Sequence, residues 1–136
     1  MPSVRAHFEE RAATLSDRAT VDLVEKDGAV TIRLRPQAAN AVGVVLYLNA
    51  FQVGTVALDD PACVPAELGD DPVADAKAVD DFISMAVEGR ATAYHLGRGG
   101  CIEVRDDGKS SRSWKNAWPW PGWKRRADRV EYEPYS

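Results

Sequence analysis

Residues 21–34 read VDLVEKDGAVTIRL, and this stretch decides the fold class. Val21 and Leu23 alternate with polar residues, and so do Val30, Ile32 and Leu34. A period of two is the signature of strands with one buried face. Lys26-Asp27-Gly28 separates the runs, and an Asp-Gly pair between alternating segments predicts a tight hairpin. The apolar residues share one face only if odd positions before the turn meet even positions after it. Pro36 ends the second strand, since it has no N–H to donate to a ladder.

Outward from this hairpin, Ser3 is placed to cap a helix reaching about Leu15, with Val4, Phe8, Ala12 and Leu15 on one face. On the other side, Val42 to Leu48 is apolar on both faces, which predicts a central strand covered on both sides. A return strand is expected over Gln52 to Leu58. The prolines, Gly69 and acids that follow up to Asp71 predict an exposed loop. Asp71-Pro72 then forms an N-cap followed by proline at the first helical position. Val73, Ala76, Val79, Phe82, Ile83, Ala86 and Val87 make an apolar stripe, with Asp75, Asp80, Asp81 and Ser84 assigned to the opposite face. Gly89 closes the helix. Strands are expected over Thr92 to Leu96 and Ile102 to Arg105, joined by Gly97-Arg98-Gly99-Gly100. A turn at Asp106-Asp107-Gly108 leads into Lys109 to Trp114, and a last strand covers Arg129 to Tyr132. Consecutive strands with helices set apart predict an α+β fold: an antiparallel sheet of hairpins, with the N-terminal helix and one central amphipathic helix packed on it. The length, 136 residues, fits a single domain over residues 1–136.

Composition narrows the function classes. The apolar fraction is 45% and the charged fraction 28%, which is globular rather than disordered usage. Cys63 and Cys101 are too few for a disulfide framework, and with His7 and His95 they contain no close ligand pair for zinc, so no metal and no cofactor are expected. The N-terminal residues lack a continuous apolar segment, and no apolar run reaches membrane-spanning length; a cytoplasmic protein is the expectation. Net charge is −4 but unevenly spread. Residues 59–88 hold nine acids and one lysine, while residues 109–129 hold seven bases and one acid.

All four tryptophans lie in the basic segment. Trp114, Trp118, Trp120 and Trp123 are interleaved with Pro119 and Pro121 and followed by Lys124, Arg125 and Arg126. Tryptophan and arginine are enriched at protein-binding hot spots, and bases beside aromatic rings also suit stacked nucleobases and phosphates. The plain structural use is to cover the edge of a sheet. An acidic pI of 5.2 opposes the nucleic-acid reading. Asp75, Asp80 and Asp81 offer a second contact surface, for a basic partner.

Placing Tyr94 and Leu96 on one face with Ile102 and Val104 sets His95 opposite Glu103, with Cys101 beside them. These are the parts of a thiol nucleophile. No oxyanion element accompanies them, and the reading adopted is a solvated His–Glu pair beside an inert thiol. The Gly97–Gly100 run is followed by a strand rather than a helix, so it reads as a hairpin loop and not a phosphate loop. Gly122-Trp123-Lys124-Arg125-Arg126, followed by Val130, Tyr132, Glu133, Pro134 and Tyr135, resembles the tail of small uncharacterised α+β proteins of high-GC bacteria. The resemblance covers about the last fifteen residues; it implies an α+β fold and no particular activity. Size and acidity are also similar in general character to immunity proteins that neutralise bacterial toxins. The function expected is a non-enzymatic protein-interaction domain, immunity-like or accessory, acting on a protein partner or by self-association. The alternatives are a nucleic-acid-binding module built on the Trp-rich segment and, third, a small enzyme built on Cys101 and His95.

Overall fold

The computed structural model describes residues 3–135. The order is α1 (Val4–Ala13), β1 (Ala19–Lys26), β2 (Ala29–Pro36), β3 (Val44–Leu48), β4 (Gly54–Leu58), β5 (Ala66–Leu68), α2 (Pro72–Val87), β6 (Ala91–Leu96), β7 (Gly99–Asp106), β8 (Lys109–Lys115), α3 (Trp123–Arg126) and β9 (Asp128–Glu131). Two antiparallel sheets result, one ordered β1-β2-β3-β4-β5 and the other β8-β7-β6-β9. The α+β class stands as read from sequence, with the strands divided between two sheets.

Ser3 Oγ accepts the Ala6 amide at 3.1 Å and starts α1. Asp71 Oδ1 accepts the Val73 amide at 2.9 Å, Pro72 follows, and α2 runs sixteen residues until Gly89 takes a φ of +64°. Phe8 and Ala12 of α1 and Val79, Ile83 and Ala86 of α2 pack on one face of the first sheet. Val30, Ile32, Leu34, Val44, Leu46, Leu48, Val56 and Leu58 form that face, and Ala91, Ala93 and Ile102 of the second sheet join the same core. The β1–β2 register pairs Val21 with Leu34 and Leu23 with Ile32, the odd-to-even pairing that the hydrophobic pattern requires. Asp27 and Gly28 both have positive φ, as a two-residue hairpin turn demands.

Four expectations change. β3 is central in its sheet, but only Val44, Leu46 and Leu48 are buried; Val45 is half-buried and Tyr47 exposed, because both helices cover the same face and leave the other bare. The stretch before Asp71 is not an open loop: it buries Asp60, Ala62, Cys63 and Leu68 and contributes the edge strand β5. On α2, Val73 is exposed and Phe82 half-buried, so the buried stripe begins at Asp75. Asp75 is therefore not on the outward face; both its carboxylate oxygens accept the Gly69 amide, at 3.0 and 3.2 Å, tying the β5–α2 corner.

The fourth change is the register of β6 and β7. Only Gly97 and Arg98 form the turn, so Tyr94 pairs with Cys101, Ala93 with Ile102 and Thr92 with Glu103. The sequence reading had set even residues against even ones, and the two-residue turn reverses that parity. Gly99 and Gly100 belong to the strand. A Cβ on Gly100 would sit 1.8 Å from the Tyr94 carbonyl oxygen, and φ there is +144°, so this position in the strand requires glycine.

Candidate functional site

The corrected register sorts the chemistry-bearing residues onto opposite faces of the second sheet. Side chains directly opposite on neighbouring strands share a face. Arg129, Tyr94, Cys101 and Trp114 form one row, and Glu131, Thr92, Glu103 and Arg112 the next, on the face away from the core. His95 lies on the other face with Ala93 and Ile102. His95, Cys101 and Glu103 thus do not meet, and the expected His–Glu pair is replaced by two others. Glu103 accepts Arg112 Nε at 2.7 Å. His95 Nε2 lies 3.0 Å from both oxygens of Asp60.

Asp60 is the polar node between the two sheets. Its side chain is almost wholly buried and also accepts the Ala62 amide at 2.8 Å and the Tyr132 hydroxyl. A buried carboxylate is tolerated where donors satisfy its oxygens. Burial, with Asp60 alongside, pushes the Tyr132 hydroxyl well above the usual tyrosine range. Sequence reasoning passed over Asp60 and Tyr132. In sequence Asp60 is one of the acids of the predicted loop before Asp71, and only the tertiary fold brings it to His95. Burial also pushes both thiols, Cys63 and Cys101, above the ordinary cysteine range, which lowers their thiolate fraction.

On the outer face the Trp-rich segment folds back on the sheet. Trp123, on the one-turn helix α3, stands edge-on to Trp114 (centroids 4.8 Å, 79° between planes) and to Tyr94 (5.1 Å, 83°). The Arg112 guanidinium lies 5.5 Å from the Trp123 ring centroid and Lys124 Nζ 5.6 Å from it. Trp114 and Trp123 are half-buried in this cluster; they cover the sheet. Tyr94 is a member that the sequence pattern does not reveal, because the expected register puts it on the face of Ile102 and Val104, whereas it pairs with Cys101.

Trp118 and Trp120 do something else. The loop between β8 and α3 turns at Asn116, whose φ is +51°, and carries both indoles outward. Trp118 is 75% exposed and Trp120 37% exposed. With Leu96, Asn116 and Ala117 they line a shallow depression of about 590 Å³. Basic residues accompany them: Lys115 precedes the loop, and Lys124, Arg125 and Arg126 follow it. Among the described residues none of these four has a carboxylate within 4.0 Å, and no ion pair joins residues 59–88 to residues 109–129.

The acids of α2 are placed differently. Asp80 lies 2.8 Å from His7 Nε2 and 3.1 Å from Arg11 Nε, stitching α2 to α1. Asp81 pairs with Lys77 at 2.8 Å along the helix. Together with the buried Asp75, these acids serve the fold's own contacts. Among the described residues no group of three His, Cys, Asp or Glu side chains could hold a metal ion, and no helix is long and apolar enough to cross a membrane. No known protein family, curated protein or solved structure matches this chain.

Proposed function

We propose that this chain is a non-enzymatic protein-interaction domain whose contact surface is the Trp118–Trp120 loop with Lys115, Lys124, Arg125 and Arg126. One observation supports the reading: two solvent-facing indoles are flanked in sequence by four bases, none of which has a carboxylate within 4.0 Å among the described residues. Large exposed aromatics flanked by guanidinium groups are the makings of a binding hot spot. Such a surface selects a partner that presents carboxylates around an apolar anchor. The acidic face of α2 is a poorer candidate, because Asp75 and Asp80 are used within the fold. A cytoplasmic, immunity-like or accessory role in a high-GC bacterium accords with the acidic charge, the small size and the resemblance of the C-terminal tail.

The free bases also favour a second reading, a single-stranded nucleic-acid module. The overall charge of −4 opposes it, since the long-range field repels a polyanion. Tryptophan fluorescence titrated with single-stranded oligonucleotides at low and moderate salt separates the two. The protein-contact reading expects no quenching at tens of micromolar. Micromolar binding that weakens steeply with salt and is lost in a Lys124→Ala, Arg125→Ala, Arg126→Ala variant replaces it with the second.

A further inference from the structure

The four sheet edges are unequal. β5 has three residues and β9 four, the latter bearing Asp128, Arg129 and Glu131. β8 exposes lysine, arginine and serine along most of its length. Short or charged edges of this kind resist further strand pairing. β1 also carries charge, at Asp22, Glu25 and Lys26, but it is the longest of the four and exposes several aliphatic side chains. It runs eight residues without a proline, pairs with β2 at every residue in an unbroken register, and among the described residues has no strand on its other side. The exposed aliphatic side chains are Val21 and Leu23, each 45% exposed, and Val24, 59% exposed.

From this edge we propose that a second copy of the chain pairs along β1, antiparallel across a two-fold axis centred on Val24, to join two five-stranded sheets into one. This edge shares no residue with the Trp118–Trp120 surface. A two-fold perpendicular to the sheet keeps each residue on its own face, so only registers that pair like parity are allowed. Centring on Val24 sets Val24 against Val24 and, on the same face, Asp22 against Lys26 of the second copy, twice. Leu23 then meets Glu25 of the second copy. Centring on Asp22 would oppose two carboxylates, and centring on Leu23 forms no directly opposed ion pair. Opposite charges directly across a strand pair stabilise it and like charges weaken it. Asp22 also pairs with Arg35 of β2 and Glu25 with Arg5 of α1, which leaves Lys26 as the base seeking a partner, and the Val24 register supplies it with one. The bare edge then gains a ladder, and part of the exposed Val21, Leu23 and Val24 surface is covered.

Sedimentation equilibrium across a concentration series tests this, with circular dichroism confirming that each variant is folded. The full chain is expected to dimerise in the micromolar range. Lys26→Asp places two pairs of carboxylates face to face and is expected to weaken the dimer at least about tenfold. Val24→Lys, which opposes two ammonium groups at the axis, does the same. The double exchange Asp22→Lys, Lys26→Asp restores the opposite-charge pairs and is expected to recover dimerisation. A chain that stays monomeric at hundreds of micromolar overturns the proposal. So does a dimer unaffected by Lys26→Asp and Val24→Lys, and so does one that the double exchange fails to rescue.

Discussion

Tyr135 offers a perturbation whose effect changes with pH in a calculable way. Its ring is buried and its hydroxyl donates to the Val42 carbonyl oxygen at 2.6 Å. Tyr135→Phe removes that hydroxyl and leaves the acceptor bare, which costs about 1–3 kcal/mol at neutral pH. Burial raises the hydroxyl's folded-state pKa far above its ordinary value of 10.0. A group whose folded pKa is raised contributes stability that is fully present below the unfolded value. That stability is lost as pH rises toward the folded value. Above about pH 10 the unfolded chain sheds this proton while the native chain keeps it, so stability falls by roughly 1.4 kcal/mol per pH unit for each such group. Tyr132 adds a second contribution of the same sign. The gap between wild type and Tyr135→Phe should therefore hold constant from pH 7 to about pH 10, then close by roughly 1.4 kcal/mol per unit. Within about two units the variant becomes the more stable protein. Urea unfolding followed by tryptophan fluorescence over this range is the assay, and comparing two proteins at each pH cancels the other titrating groups. A gap that stays constant above pH 10 would refute the reasoning.

Other positions give sharper structural tests. Ile83→Ala should destabilise by about 2–5 kcal/mol in urea unfolding, as for fully buried large-to-small changes, and the half-buried Phe82→Ala by less; equal losses would contradict the packing of α2. Gly100→Ala drives a Cβ into the Tyr94 carbonyl and should cost more than about 3 kcal/mol, whereas Gly97→Ala, with open space around it, should cost only the strain of its positive φ. Cys101 should react with iodoacetamide more slowly than a free-cysteine peptide at neutral pH, and His95→Ala should leave the rate unchanged because the two side chains lie on opposite faces.

The parts of the fold that sequence patterning revealed are those set by local signals. Asp71-Pro72 and Gly89 bracket α2, Ser3 starts α1, and Asp27-Gly28 fixes the first hairpin. Each is a backbone requirement satisfied by residues close in sequence. Errors arose where parity or tertiary cover decided the outcome. Four consecutive loop-like residues, Gly97 to Gly100, hid a two-residue turn, and that slip moved His95 to the other face. Val45 and Tyr47 look like core residues, yet both helices choose the opposite side of the sheet. Asp75 looks like a surface acid and instead accepts a backbone amide at a buried corner. Of the proposed contact surface, the Trp and Lys/Arg residues were visible in sequence. Their division was not: Trp114 and Trp123 pack on Tyr94, while Trp118 and Trp120 face outward, and that split depends on where the chain turns at Asn116.

The contact surface itself is tested most directly by quantitative capture. The tagged full chain and its Trp118→Ala, Trp120→Ala variant are incubated with nuclease-treated lysate of the source cell, and bound proteins are counted by mass spectrometry. Trp118 is 75% exposed but Trp120 only 37%, so the variant's melting temperature is measured alongside to establish that it is folded. The account predicts an acidic protein partner held by the wild type after nuclease treatment and depleted at least about tenfold by the variant, the loss expected when two hot-spot aromatics are truncated. Identical capture by wild type and folded variant would contradict it.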